Sequence, residues 1–79
     1  MMTNYRLTMI SPEQCRAVRA WLRISQKALA DEAGLSEITI RVFEREERMP
    51  LNGTVLSIQV AVERLGFVIT ETGIDRPKR

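Results

Sequence analysis

The sequence contains no histidine and a single cysteine, Cys15, among its 79 residues. One cysteine cannot form a disulfide within the chain, and the usual zinc ligand sets need histidine or several cysteines. We therefore expect no metal ion and no cofactor. This cysteine usage also fits a reducing compartment, so we expect a cytoplasmic protein.

Aromatic residues and long apolar runs are scarce as well. The chain has one Trp, one Tyr and two Phe, which favours a compact helical domain over a sandwich of aromatic-rich strands. No apolar stretch approaches the roughly 20 residues that span a bilayer, and residues 1–10 lack the charged start and apolar block of a signal peptide. These absences predict a soluble, intracellular chain.

The charge balance is close to neutral. Twelve Lys and Arg against ten Asp and Glu leave a net charge of +2, so a basic surface must come from the arrangement of residues. A chain of this length is most simply one domain with a small core, to which dimerisation would add buried surface. We expect no enzyme activity, because there is no phosphate loop and no nucleophile–base set. Glu46-Glu47 fits a solvated helix end better than an acid–base pair.

The stretch 25–44, SQKALADEAGLSEITIRVFE, contains two short helical patterns that meet at one glycine. Ser25 and Ser36 are N-cap candidates, because a hydroxyl can accept a hydrogen bond from the unpaired amides at a helix start. Gly34 can adopt the left-handed conformation that a tight turn needs. Each helix has one apolar face, and these faces contain Leu29, Ala30, Ala33, Ile40 and Phe43. We predict a helix over 26–33, a turn, and a helix over 37–46.

Another helix start precedes this pair. Ser11, Pro12 and Gln14 combine an N-cap, a proline at the first helical position and a capping box. The buried side of this first helix is predicted to contain Cys15, Ala17, Val18, Trp21 and Leu22. A neighbouring stripe contains Arg16, Arg19 and Arg23. For Arg16 and Arg23, a phosphate contact and an ordinary solvated face are equally good interpretations.

The last predicted helix, over 55–65, is unusually apolar. It follows Pro50 and a loop at 51–54, and Gly66 ends it. Its apolar side chains cover more of the circumference than one small core uses. This excess predicts a subunit interface, although the same side chains could complete a monomer core.

The stretch 67–70 is β-branched and aromatic, which predicts a short strand. The strand could pair with residues 5–9, with nothing, or with its equivalent in a second subunit, which is the arrangement we prefer. Residues 75–79 are predicted to be a flexible basic tail. The predicted dimer interface contains Val60, Val62, Phe67, Val68 and Ile69.

These elements predict an all-α fold, a compact four-helix domain with a short C-terminal β-strand at a dimer interface. Residues 1–10 form an N-terminal arm, either a short strand or a disordered terminus. Residues 11–66 form the helical domain. Residues 67–79 form the strand and the tail.

Several motifs together resemble a known family. They are Ser25-Gln26, Leu29-Ala30, Ala33-Gly34-Leu35-Ser36, Ile40, Phe43-Glu44, Arg48 and Pro50. All fall where the phage-repressor-like helix-turn-helix family, also called the Cro/cI or XRE type, places such residues. The resemblance covers about residues 11–66 and implies a lambda-repressor-like fold whose second motif helix enters the DNA major groove. It also implies an ion pair between Arg19 and Glu44.

The resemblance further implies two sets of DNA contacts. The base contacts would be made by Glu37, Ile38, Thr39, Arg41 and Val42. Phosphates would be contacted by Gln26 and Ser36, with Arg23, Lys27, Arg45 and Arg48 as additional candidates that could equally be ordinary surface charges.

The implied function is a transcriptional regulator that binds a palindromic double-stranded DNA site as a homodimer, with autoregulation as one mode of action. The alternative is a protein-binding antitoxin or antiactivator module that has the same fold and uses its apolar C-terminal edge.

Overall fold

A computed structural model describes residues 9–48, 50–71 and 73–76. It has four helices, α1 (Pro12–Leu22), α2 (Gln26–Ala33), α3 (Glu37–Arg45) and α4 (Asn52–Arg64), followed by the strands β1 (Val68–Ile69) and β2 (Ile74–Asp75). The four-helix fold class is therefore confirmed. Helix α2 packs against both α3 and α4, and α1 packs across α3 and α4.

Three serines begin the first three helices. The hydroxyls of Ser11, Ser25 and Ser36 accept the amide N–H three residues later, at 3.1, 2.9 and 3.1 Å. Gln14 completes the capping box at Ser11 by accepting its backbone N–H at 2.8 Å. These starts lie where the sequence predicts them, because a capping hydroxyl acts over one helical turn.

Helix α4 begins earlier than predicted. The sequence placed residues 51–54 in a loop, but α4 starts at Asn52 after an N-cap, Leu51, that makes no side-chain capping bond. Asn52 and Gly53 are poor helix formers in a helix interior but tolerable in a first turn. Val55 is buried one residue after that turn, and its packing offsets their low propensity.

All four helices end in the same turn. The chain has a positive φ at four positions, Arg23, Gly34, Glu46 and Gly66. The backbone N–H of the residue that follows each of them donates to the carbonyl five residues before it. Examples are the bonds from Leu35 to Ala30 at 2.9 Å and from Glu47 to Val42 at 3.2 Å. This pattern is a Schellman motif. Two of its four left-handed positions are occupied by residues with a side chain, Arg23 and Glu46.

Replacing Glu46 with glycine should raise the free energy of unfolding by about 0.5–1 kcal/mol. Glu46 has φ 59° and ψ 30°, and glycine removes the left-handed strain of about 1–2 kcal/mol while making the unfolded chain somewhat more flexible. Thermal unfolding followed by circular dichroism should show a melting temperature higher by roughly 2–8 °C. Glu47→Gly is the matched control, and an equal rise in that variant would contradict the strain argument.

The core lies between the four helices. Its buried apolar residues are Ile10, Cys15, Val18, Leu29, Ala30, Ile40, Phe43, Val55, Ile58, Ala61, Val62, Phe67 and Ile69. Two residues that were predicted for the buried side of α1 lie outside the core. Ala17 is exposed, and Trp21 is 52% exposed. The Trp21 ring packs edge-on against Phe67, with 5.2 Å between centroids. Trp21 therefore shields the core margin on one side only.

The predicted strand is present, but its partner is local. Antiparallel pairing joins Val68 to Asp75 and Ile69 to Ile74, so β1 pairs with a segment for which no strand was predicted and whose second residue, Asp75, was predicted to lie in the flexible tail. The side-chain amide of Gln14 donates to the carbonyls of Thr70 and Gly73, both at 2.8 Å, and so holds the hairpin turn against α1. The predicted pairing with residues 5–9 falls largely on residues outside the described part of the chain.

Candidate functional site

One buried carboxylate, that of Glu44 on α3, joins three helices. Arg19 of α1 donates to both of its oxygens, from Nε to Oε2 and from Nη2 to Oε1, each at 2.7 Å. Gln26 of α2 donates from Nε2 to Oε1 at 3.1 Å, and the Cys15 thiol donates to Oε2 at 3.2 Å. The Arg16 guanidinium also donates to the Glu44 backbone carbonyl. Glu44 therefore fixes α3 against α1 and α2.

The hydrogen bonds decide the charge of this site. Burial alone would raise the pKa of Glu44, which is 3% exposed, but the bonds donated by Arg19, Gln26 and Cys15 and the Arg19 charge outweigh burial and lower that pKa. The same carboxylate raises the pKa of the Arg19 guanidinium. Glu44 is therefore ionised at neutral pH and Arg19 keeps its charge.

The Cys15 thiol should react with a thiol reagent only when the chain unfolds. Burial and then the neighbouring Glu44 raise the pKa of Cys15 far above its ordinary range, so the nucleophilic thiolate is suppressed. Its side chain is also fully buried. Labelling with Ellman's reagent should be negligible in buffer and become rapid above the urea midpoint. Fast labelling of the native protein would contradict this assignment.

The α3 surface opposite its packed side is open to solvent. Ile40 and Phe43 are buried, whereas Glu37 and Arg45 are exposed and Ile38 is 59% exposed. Thr39, Arg41 and Val42 are half-buried along the same helix. The five predicted base-contact residues thus lie on one short helix outside the core, and we name this set, residues 37–39, 41 and 42, the reading surface.

Ser36 and Thr39 form a small polar unit where α3 begins. Besides the capping bond, their hydroxyl oxygens lie 2.8 Å apart. This contact holds the Thr39 side chain towards the helix start, beside the position predicted to meet a phosphate. Thr39 therefore has one hydrogen-bonding partner inside the chain already.

The predicted phosphate contacts are distributed over several elements. Gln26 is half-buried at the first turn of α2, Arg23 is exposed at the end of α1, and Arg48 is exposed after α3. Lys27 and Arg45 lie 3.4 Å from Asp31 and Glu47, respectively. Ion pairs this exposed contribute little, so both cations can exchange their partner for a phosphate at small cost.

Three of the residues predicted for the dimer interface lie instead in the core of the single chain. Val62, Phe67 and Ile69 are buried in the core of a single chain, because α4 and β1 pack against each other and turn these side chains inward. Val60 and Val68 are exposed in the single chain, and their place at an interface stays a prediction. Leu56, which the sequence did not single out, is 52% exposed one helical turn before Val60.

A cavity of about 440 Å³ opens between the start of α1, the end of α3 and the start of α4. Its lining includes Ile10, Pro12, Phe43, Pro50 and Val55, with Glu46 and Arg48 as charged members. Within the described ranges, no three Cys, Asp or Glu side chains are grouped to bind a metal ion. The described helices also include none with the length and apolar character needed to cross a membrane.

Comparison with protein-family models finds no match to this chain. Comparison with curated protein sequences finds none either.

Proposed function

We propose that the chain is a sequence-specific double-stranded DNA-binding transcriptional regulator that reads the major groove with α3. The observation that carries the proposal is one helix that combines two features. It is fixed by the buried ion pair of Glu44 with Arg19, at 2.7 Å, and it also presents the reading surface, whose residues are exposed or half-buried and lie outside the core. The major groove of B-DNA is wide enough for one α-helix. The proposal includes a cytoplasmic location, where a single unpaired thiol stays reduced.

The reading surface offers a different chemistry at each position. Arg41 can donate two hydrogen bonds to a guanine, and Glu37 can accept one from a cytosine amino group. Ile38 and Val42 are apolar and suited to a thymine methyl group. Ile38 supports this role most directly, because a side chain that is 59% exposed gains apolar contact only when a partner covers it.

Footprinting on the DNA flanking the protein's own gene tests the proposal. Protection of an inverted repeat, with affinity that falls steeply as salt is raised, is the expected result, because phosphate contacts release condensed counterions. It would also support autoregulation. Failure to bind any duplex from a randomised library at low salt would overturn the proposal.

The proposal includes a homodimer, because one short helix contacts few base pairs and a two-fold dimer doubles the contact. Because Val62, Phe67 and Ile69 are buried in the core, the interface is proposed at Leu56 and Val60 instead. These two residues lie one helical turn apart on the exposed side of α4. Sedimentation should show a dimer for the wild type and a monomer for Leu56→Asp. Ala17→Asp, at an exposed position of α1, is the control. A wild-type monomer at high micromolar concentration would overturn the dimer.

A protein-binding antitoxin or antiactivator is the second candidate. The exposed apolar side chains of Trp21, Leu51 and Val68 favour it, since large exposed aromatic and aliphatic groups are typical of protein interfaces. Absence of duplex binding, together with stoichiometric binding of a co-expressed neighbouring gene product, would favour this candidate over the first.

A further inference from the structure

The chain contains one Asn-Gly pair, Asn52-Gly53, at the start of α4. Both residues are exposed, and among the described residues none hydrogen-bonds the Asn52 carboxamide. Gly53 has no Cβ to shield its backbone nitrogen, and its N–H belongs to the first helical turn, whose amides have no acceptor within the helix. The Gly53 nitrogen is therefore open to reaction with the neighbouring side chain.

An asparagine in this setting can react with its own backbone. The Gly53 nitrogen attacks Cγ of Asn52, a C–N bond forms, and the side-chain nitrogen leaves as ammonia with the amide proton of Gly53. The resulting five-membered imide takes up one water molecule, which opens it at either carbonyl. One opening gives aspartate, and the other gives isoaspartate, in which the backbone runs through Cβ. One water is consumed and one ammonia is released, and nothing is oxidised or reduced.

The start of α4 gives this attack the freedom that it needs. Helical dihedral angles keep the Gly53 nitrogen off Cγ, so Asn52 must first leave the helix. The N-cap, Leu51, makes no side-chain capping bond, and its carbonyl holds the first turn by accepting from Thr54 at 3.0 Å and from Val55 at 3.2 Å. Val55 is the first buried residue of the helix. Fraying ends open at almost no cost in free energy, so the reactive conformation is reached while the core stays folded.

We propose that Asn52, at the uncapped start of α4, is a site of spontaneous deamidation in the folded chain. Each conversion replaces a neutral carboxamide by a carboxylate and lowers the net charge of +2 by one. The aspartate form gains a negative charge at the positive end of the helix dipole, which stabilises α4. The isoaspartate form has one more backbone atom in the first turn, which moves the amides of that turn away from the Leu51 carbonyl. The two products therefore affect the start of α4 in opposite directions.

Incubation of the purified, folded chain at mildly alkaline pH tests the proposal, because a deprotonated amide nitrogen is the better nucleophile. The tryptic peptide 49–64 contains Asn52 and also Gln59. Mass spectrometry with electron-based fragmentation should locate the replacement of NH₂ by OH at Asn52, shared between aspartate and isoaspartate. Gln59 is the internal control and should stay unchanged, since its cyclisation needs a larger ring. Conversion confined to the chain unfolded in urea would overturn the proposal.

Two variants separate the role of glycine from that of the uncapped helix start. At Gly53 an added Cβ meets nothing within 4 Å, so Gly53→Ala should fold and react at least about 4-fold more slowly, since alanine also favours the helix. Leu51→Ser supplies a hydroxyl at an N-cap whose φ of −64° and ψ of 152° suit capping. It should slow the reaction roughly 2- to 30-fold in the folded chain and hardly at all in urea. Equal rates for the wild type and Leu51→Ser in the folded chain would contradict the proposal.

Asn52→Asp is the reference for the aspartate product. It has the new carboxylate on an ordinary backbone, so its melting temperature should equal or exceed that of the fresh wild type. Wild type aged until isoaspartate predominates should melt below both. An aged chain that contained isoaspartate at position 52 and melted as Asn52→Asp does would overturn the predicted effect on the first turn of α4.

Discussion

Replacing Arg19 with methionine should lower the free energy of unfolding by about 3 kcal/mol. The variant leaves the Glu44 carboxylate buried and without its counter-charge, and breaking one partner of a buried pair costs about 3–5 kcal/mol. The lower end applies because the Arg19 side chain is 22% exposed while that of Glu44 is 2% exposed. A domain of this size has roughly 4–12 kcal/mol of stability in total, so the loss is a large fraction of it.

Urea unfolding followed by the fluorescence of the single tryptophan, Trp21, measures this loss. Lys27→Met is the matched control, because Lys27 also has an acidic partner, Asp31, but both side chains are about two-thirds exposed. Its removal should cost less than about 0.5 kcal/mol. Equal losses in the two variants would contradict the assignment of Arg19 to a buried pair.

Acid should reduce the difference in unfolding free energy between the wild type and Arg19→Met. The pKa of Glu44 is lowered in the folded chain, so its stabilising contribution is present above the ordinary carboxyl pKa and is lost as pH falls through the lowered value. Arg19→Met removes the strongest of the hydrogen bonds that lower this pKa, together with the Arg19 charge. Burial then favours the neutral carboxyl more, so protonation of Glu44 should recover part of the stability that the variant has lost. The difference in unfolding free energy should therefore shrink below about pH 5. A constant difference down to about pH 3 would contradict this linkage.

The features that the sequence predicted well are those encoded within one helical turn. Ser25, Ser36 and Gly34 act on amides and carbonyls three to five residues away, so the bounds of α2 and the start of α3 could be derived from the motif alone. The start of α4 could not, since it depends on the burial of Val55 by residues distant in sequence. The partner of β1 was missed because Ile74-Asp75 carries a weak strand signal.

Whether an apolar side chain of a helix is buried is harder to predict than which side of the helix it lies on. Periodicity shows that Val62 and Val60 lie on different sides of α4, but it does not show which side the other helices cover. In the fold Val62 is buried and Val60 exposed. The contacts of Gln26 and Arg16 to Glu44 were missed for the same reason, since each joins residues at least 18 positions apart.

Under the proposed DNA-binding function, replacing Arg41 with alanine should relax the preference for one base pair rather than weaken binding to every sequence. Arg41 is half-buried on α3, and its guanidinium presents several N–H donors in a fixed planar arrangement. A bidentate contact to guanine is worth about 1–3 kcal/mol of discrimination. The ratio of affinities for the preferred and the substituted base should therefore fall roughly 5- to 150-fold at one position of each half-site.

Binding of the wild type and the variant to a set of duplexes, each with one base pair changed, measures this ratio. Arg45→Ala is the matched control, because Arg45 lies one turn later on α3 and is exposed, and it is predicted to contact phosphate. That variant should weaken all duplexes about equally and lower the logarithmic salt slope by about one. If Arg41→Ala gave this uniform loss instead, Arg41 would be a phosphate contact, and the specificity of the reading surface would have to come from its other four residues, 37–39 and 42.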